Sequence, residues 1–339
     1  MNTKVKGAIY LPAQAYNAYQ MWRDYRADEI VRDLEFAKQL NLNALRVWLS
    51  YEYWLEEPEK TKEVFDHFLE ESEKKGIRIL PSLFEKVGIE PTLEAREDKS
   101  PMTAACVYSP SMDIISDSNR WNEPAAFVKW FMQHYRDDNR LLAVEVMNEP
   151  YGVDRLQFAR EMLICAKERK GNLPLTIGCI DFEHNMYFLD IGIDILQNHA
   201  NFPNSIEYIE NRLAQFEEFG KILNKPVWLT EWQRIRPTSN GWGHNPLGNG
   251  EWQPDYEAYA KVLENHPQLG TFFWSLMVKP AYLPPQRKKG TLNGVFHEDG
   301  AVWSLDDARA IANDPNFEAE ERREWPEWAK EIPENVFVK

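Results

Sequence analysis

The chain has 339 residues, and 39 basic against 54 acidic side chains leave a formal charge of −15. A hydrophobic share of 43% is ample for a core and excludes intrinsic disorder. The acidic balance, with no long lysine- or arginine-rich block, argues against nucleic acid or an anionic membrane surface as partner.

Near the N-terminus the apolar segment 8–11 is interrupted by Pro12 and Gln14, too early for the core of a signal peptide. No run of ~18 apolar residues follows anywhere, so no ordinary membrane-spanning helix is expected. The three cysteines, Cys106, Cys165 and Cys179, are odd in number and form no CxxC or Cys/His cluster. They read as buried thiols in a reducing compartment, and a cytoplasmic location is the expectation.

Apolar runs of strand length recur at 5–11, 44–49, 77–84, 141–147, 175–179, 193–197, 226–230 and 271–276. Segments of helical period lie between them. In 28–40, Ile30, Val31, Leu34, Ala37 and Leu40 share one face, and 59–75 groups Val64, Phe65, Phe68 and Leu69 before Gly76. The alternation continues at 123–135, 154–170, 205–223 and 255–264, and is weakest between the fifth and sixth runs. Eight strands with intervening helices predict an α/β fold, a single (β/α)8 TIM barrel over 1–312. No glycine-rich loop follows the first strand, which disfavours a dinucleotide-binding sheet. Long connections after strands 3, 7 and 8, at 85–120, 232–254 and 278–293, all fall on the C-terminal side, where barrel enzymes build their sites. The charged segment 313–339, with Trp325 and Trp328, reads as a tail packed on the barrel.

Two strand ends carry the chemistry. The run Leu141-Leu142-Ala143-Val144-Glu145-Val146-Met147 ends in Asn148-Glu149-Pro150, and Pro226-Val227-Trp228-Leu229 ends in Thr230-Glu231-Trp232. Strands four and seven stand on opposing parts of an eight-membered ring, so Glu149 and Glu231 are expected to face each other across its mouth. A carboxyl pair across a cleft is what glycosidic bond cleavage requires. Glu145, alternating with Glu149 along the strand, reads as an internal hydrogen-bonding or charge partner.

Asn148-Glu149-Pro150 on strand four together with Thr230-Glu231 on strand seven resembles the clan A retaining glycoside hydrolases, most of all glycoside hydrolase family 5 and its relatives. The resemblance spans roughly residues 5–312. It implies Glu149 as acid/base, Glu231 as nucleophile, and Asn148 as the residue that bonds the sugar 2-hydroxyl. It further implies that Arg46, in Ala44-Leu45-Arg46-Val47-Trp48, supports the nucleophile. His199 matches the strand-six histidine and Trp274 the strand-eight tryptophan beneath the sugar. Trp48 and Trp232, beside motif residues, are candidates for substrate contact or for the core. Two positions depart from the family pattern: the chain reads Leu83-Phe84-Glu85 where a histidine usually ends strand three, and Asn201 where a tyrosine usually stands two residues beyond the strand-six histidine.

The resemblance implies a carbohydrate substrate, no metal or organic cofactor, and double displacement on neutral β-linked glycosides or oligosaccharides, β-mannosides or β-glucosides first. Glu149 is expected to carry the raised pKa, because a neighbouring carboxylate disfavours its ionisation. A transglycosylase on the same site and a non-catalytic carbohydrate-binding barrel remain alternatives. A metal-dependent barrel hydrolase is disfavoured, since no strand end shows a His-x-His or comparable cluster. Trp242, His244 and Trp252, set among glycines in 232–254, read as a subsite wall or lid or as an ordinary loop.

Overall fold

The structure, a computed structural model, describes residues 4–236, 253–287 and 291–329. Eight parallel strands form its centre: β1 (Lys6–Ile9), β2 (Ala44–Trp48), β3 (Arg78–Glu85), β4 (Val144–Asn148), β5 (Leu175–Gly178), β6 (Leu196–Ala200), β7 (Val227–Trp232) and β8 (Gly270–Phe273). Nearly every strand residue is buried, as expected where one face meets the barrel interior and the other the helix layer. The hydrogen-bonded order is β5-β4-β3-β2-β1-β8-β7-β6, with β1 pairing both β2 and β8.

The ring closes between β5 and β6 with the help of side chains. Asp194 N donates to Leu175 O at 2.8 Å and Thr176 Oγ1 to Ile195 O at 2.9 Å. The Asn185 side-chain amide then serves as a strand partner for Gln197, donating to its carbonyl at 2.7 Å and accepting from its N–H at 3.0 Å. The fold is a (β/α)8 barrel.

The outer helices follow the sequence periodicity closely. Helix Ala27–Gln39 buries Ile30, Asp33, Leu34 and Ala37, and helix Pro58–Lys74 starts on a proline and buries Val64, Phe65, Phe68 and Leu69. Helix Ile206–Leu223 is capped by the Ser205 side chain, which accepts from Tyr208 N, and stops at Asn224 in the left-handed conformation. Two expectations need correction. The sixth strand is Leu196–Ala200 rather than 193–197, because Gln197, Asn198 and His199 within it are polar and carry no apolar signature. After β5 the only helical turn before β6 is the short 3-10 segment Glu183–Phe188.

The loops at the C-terminal ends of the strands are tied to one another. The connection after β3 contains helices Leu93–Glu97 and Met112–Ile115. It returns to β3 through paired backbone bonds between Glu85 and Ser109 of 2.8 and 2.9 Å. After β8, the short strands β9 (Lys279–Pro280) and β10 (Leu292–Asn293) pair antiparallel. Lys279, buried, places its ammonium against the carbonyls of Leu11, Pro12 and Ala15 at 3.2, 2.8 and 3.0 Å, three donors for three acceptors. The described part of the C-terminal segment returns to the barrel: Arg322 N donates to Val302 O at 2.8 Å, and Trp328 meets the Tyr16 ring edge-on at 6.5 Å. All three cysteines are buried and unpaired, and among the described residues no helix is long and apolar enough to cross a membrane.

Candidate active site

Five strands deliver polar side chains to the barrel mouth. Arg46 on β2 is its organising charge, fully buried at 0% exposure. Its guanidinium grips Glu145 through Nε to Oε2 at 2.9 Å and Nη2 to Oε1 at 2.6 Å. Nη2 also donates to Asn148 Oδ1 at 2.6 Å, and Nη1 to Glu231 Oε1 at 2.9 Å. One buried cation thus orients two carboxylates and one amide, a task for which the rigid fork of arginine suits better than lysine. Gly178 at the end of β5 gives it room: a Cβ there would lie 2.8 Å from Glu145 Oε1 and 3.0 Å from Arg46 Nη2.

Glu149 follows the last residue of β4 with φ of +45°, a left-handed conformation that costs a non-glycine residue energy. Its Oε1 lies 2.7 Å from His199 Nδ1, which is also 3.5 Å from Glu231 Oε1. Asn201 Nδ2 donates to Glu231 Oε2 at 2.9 Å, and Gln233 Nε2 to Asn201 Oδ1 at 3.2 Å. The amide of Asn201 therefore meets Glu231 at the position where the family pattern has a tyrosine. Ligand atoms of Glu149, His199 and Glu231 all lie within 4.8 Å of one another. Such a trio has the donors for a cation, but the fixed charge of Arg46 on Glu231 opposes one.

The titration pattern corrects one expectation. Burial pushes both carboxyls up. On Glu149, the hydrogen bond and charge of His199 outweigh burial and hold the group below its ordinary value. Glu231 stays above its ordinary value, raised by burial first, with Glu149 adding to the rise against the pull of His199 and Arg46. The raised pKa sits on Glu231 in the resting site, because His199 approaches Glu149 more closely.

Glu85, at the end of β3, is a third buried carboxyl. Asn148 Nδ2 donates to its two oxygens at 2.9 and 3.1 Å, and Val87 N to Oε1 at 2.6 Å. Burial pushes it up to about 8 against those hydrogen bonds. Burial likewise raises Glu52 to about 7, Asp33 to about 7 and Asp307 to about 6. In each the folded pKa lies above the unfolded one, so the folded chain keeps protons that the unfolded chain releases. Stability is fully present below the unfolded values and is lost as pH rises through the folded ones. The thermal midpoint is expected to fall by at least about 2 °C between about pH 6 and about pH 8.5, and Glu85→Gln to shrink that fall. Calorimetry at both pH values checks this; a midpoint that rises with pH would contradict it.

The aromatic candidates separate. Trp274, joined to Ser275 by a cis peptide, lines the cavity between the two carboxylates, with Val87, Asn148, Gln233 and Tyr282. Trp48 packs 5.6 Å from the Trp274 ring and under the Arg46 guanidinium at 5.1 Å. Trp232 is a correction: with Glu231 turned to the mouth, its neighbour turns outward, against Tyr259 at 5.2 Å and Tyr256 at 5.9 Å. Trp242, His244 and Trp252 lie outside the described residues. The loop after β8 supplies Tyr282, Leu283, Gln286 and Asn293 to the site, none of which the sequence marked.

The cavity at the carboxylates is small, about 30 Å³. A roomier one of about 370 Å³ opens beside Pro12, Asp24, Arg26 and Trp328, but it holds neither Glu149 nor Glu231. The chemistry belongs to the small one, where the carboxyl pair is.

No protein-family model matches the chain, and no curated protein matches it. Solved structures do. The exo-β-1,4-mannosidase Op5Man5 from Opitutaceae bacterium strain TAV5 aligns over 92% of this chain with a TM-score of 0.67 and 18% identity. The alignment spans only 59% of that protein. An endo-β-1,4-mannanase from Thermotoga petrophila aligns over 92% of this chain and 76% of its own, with a TM-score of 0.60 and 15% identity. A glycoside hydrolase family 5 mannosidase from Rhizomucor miehei aligns over 92% of each chain, with a TM-score of 0.56 and 15% identity. At these identities the likeness establishes the barrel.

Proposed function

We propose that the protein is a retaining β-glycoside hydrolase acting on β-linked mannosides or glucosides, with Glu149 as acid/base and Glu231 as nucleophile. The observation that carries this reading is the approach of two buried carboxyls from β4 and β7, with oxygens within 4.8 Å. Double displacement needs carboxyls ~5–5.5 Å apart, whereas inversion leaves ~6.5–9.5 Å for a water. The mannosidases and the mannanase of like fold support the sugar class. Three buried free thiols fit a reducing compartment, the cytoplasm.

Arg46 and Asn201 hold one oxygen each of Glu231, so the nucleophile is oriented before substrate arrives. His199 Nδ1, 2.7 Å from Glu149 Oε1, holds the acid/base carboxyl in place. Glu149 in its carboxylic acid form protonates the glycosidic oxygen as Glu231 bonds the anomeric carbon and the bond to the leaving oxygen breaks. Glu149, now a carboxylate, takes a proton from the water that releases the sugar.

Incubation with a 2-deoxy-2-fluoro-β-mannosyl or β-glucosyl fluoride, followed by peptide mapping, should find the sugar on Glu231. A label elsewhere, or a product of inverted configuration by NMR, overturns the assignment. Sugar appearing mainly on a second sugar rather than on water identifies the transglycosylase instead.

A further inference from the structure

The Asn201 amide that meets Glu231 has two ends of nearly the same shape, one a donor and one an acceptor. Turned over, it would set its oxygen against the nucleophile, with both groups buried. Gln233 fixes its sense from behind. Gln233 Nε2 donates to Asn201 Oδ1 at 3.2 Å, which leaves Asn201 Nδ2 for Glu231 Oε2 at 2.9 Å. The Gln233 amide has the same two ends, and its Oε1 accepts from Arg234 Nη2 at 3.5 Å. A guanidinium has donors only, and the carboxylate that attacks has acceptors only. Between Arg234 and Glu231, both amides therefore have one sense in which every contact is favourable.

The surroundings hold this chain of groups in place. Gln233 and Arg234 are buried, as is Asn201. Arg234 N donates to Asn201 O at 3.2 Å, so the segment beyond β7 pairs with the segment beyond β6. The guanidinium is held from its far side by Asn293 Oδ1 at 2.5 Å and Leu292 O at 2.9 Å, both on β10, and by the Gln253 carbonyl. A phenol at position 201 would turn its hydroxyl to donate without such support; an asparagine needs it. The sense matters for the chemistry, since burial raises the Glu231 carboxyl and the Asn201 hydrogen bond lowers it.

We propose that Gln233 and Arg234 are positioning residues for the nucleophile: Arg234 orients Gln233, Gln233 orients Asn201, and Asn201 donates to Glu231. This rests on the hydrolase reading. Two arginines thereby act on one carboxylate. Arg46 does so directly at Oε1, and Arg234 acts at Oε2 through two amides aligned head to tail, each polarising the next.

Inactivation by the 2-deoxy-2-fluoro mannosyl and glucosyl fluorides tests this, because fluoride leaves without a proton and the rate reads attack by Glu231. Gln233→Met keeps the bulk and removes both amide ends. Its limiting inactivation rate should fall by about tenfold or more, with the half-saturating concentration little changed. Arg234→Met should slow attack in the same direction, whereas Arg234→Lys, still a donor only, should keep most of the rate. Asn201→Ala and its combination with Gln233→Met complete a cycle. Once Asn201 is gone, Gln233→Met should slow attack no further. Effects that multiply would mean that Gln233, which lines the cavity, acts on the sugar itself, and would overturn the proposal. Labelling of Gln233→Met at the wild-type rate also overturns it and leaves the hydrolase. NMR of protein carrying 15N-asparagine gives a readout without turnover. The Asn201 amide proton, identified by its loss in Asn201→Ala, should lie downfield of ordinary asparagine side chains and return toward them in Gln233→Met. No labelling by either fluoride, with that shift present, removes the hydrolase and keeps the orientation. Neither labelling nor shift removes both.

Discussion

Glu149→Ala should slow hydrolysis of an unactivated β-disaccharide by about 10³-fold, the usual loss when a general acid/base is removed. The same variant should still form the glycosyl-enzyme from a 4-nitrophenyl glycoside, whose leaving group needs no proton. The intermediate then accumulates, because no base activates water. Azide, which needs no deprotonation, should restore turnover and yield a β-glycosyl azide. Steady-state kinetics with and without azide check the outcome. Unchanged disaccharide turnover would assign the proton to another group, and His199, 2.7 Å away, is the first to examine.

The second large effect concerns stability as much as rate. Arg46→Met removes the cation that Glu145, Glu231 and Asn148 share, all inside a barrel where Arg46 itself is fully buried. Breaking a buried ion pair from one side costs about 3–5 kcal/mol, because the abandoned charges stay desolvated. Urea unfolding should show a loss of this size, and the variant should be inactive even where it remains folded. Arg46→Lys should recover part of the stability, since a point charge returns without the fork that binds Glu145 through two nitrogens. A loss under about 1 kcal/mol for Arg46→Met would mean that the network relaxes around the missing charge.

The parts of this site that were legible in the sequence are those where an apolar strand contains or ends in a charge. Arg46 stands out within Ala44-Leu45-Arg46-Val47-Trp48, and Glu149 and Glu231 each close a hydrophobic run. Such residues have little choice but to face the barrel interior or its mouth. The helices were legible for a similar reason, since one apolar face repeats against the barrel. β6 was not, because a strand that carries Gln197, Asn198 and His199 in sequence buries polar groups, meeting Thr230 and Glu149, rather than an apolar run. Trp232 misled because a tryptophan at a strand end serves a sugar or a helix layer equally well, and only the direction of Glu231 decides. Tyr282 and Gln286 come from a loop with no periodicity, so nothing in their local sequence points to the mouth. Glu85 and Asn201 were visible as departures from a pattern; their shared role, each meeting a site residue through an amide hydrogen bond, needed coordinates.

The left-handed backbone at Glu149 sets fold and reaction against each other at one residue. With φ of +45°, the position would suit glycine best, and any side chain with a Cβ is held there at a cost of about 1 kcal/mol. Glu149→Gly would remove the carboxyl and the strain together, giving a protein that lacks the acid/base yet is harder to unfold than its alanine counterpart. Ordinary selection for a sturdier barrel would discard this glutamate, so its presence records a demand from outside the fold.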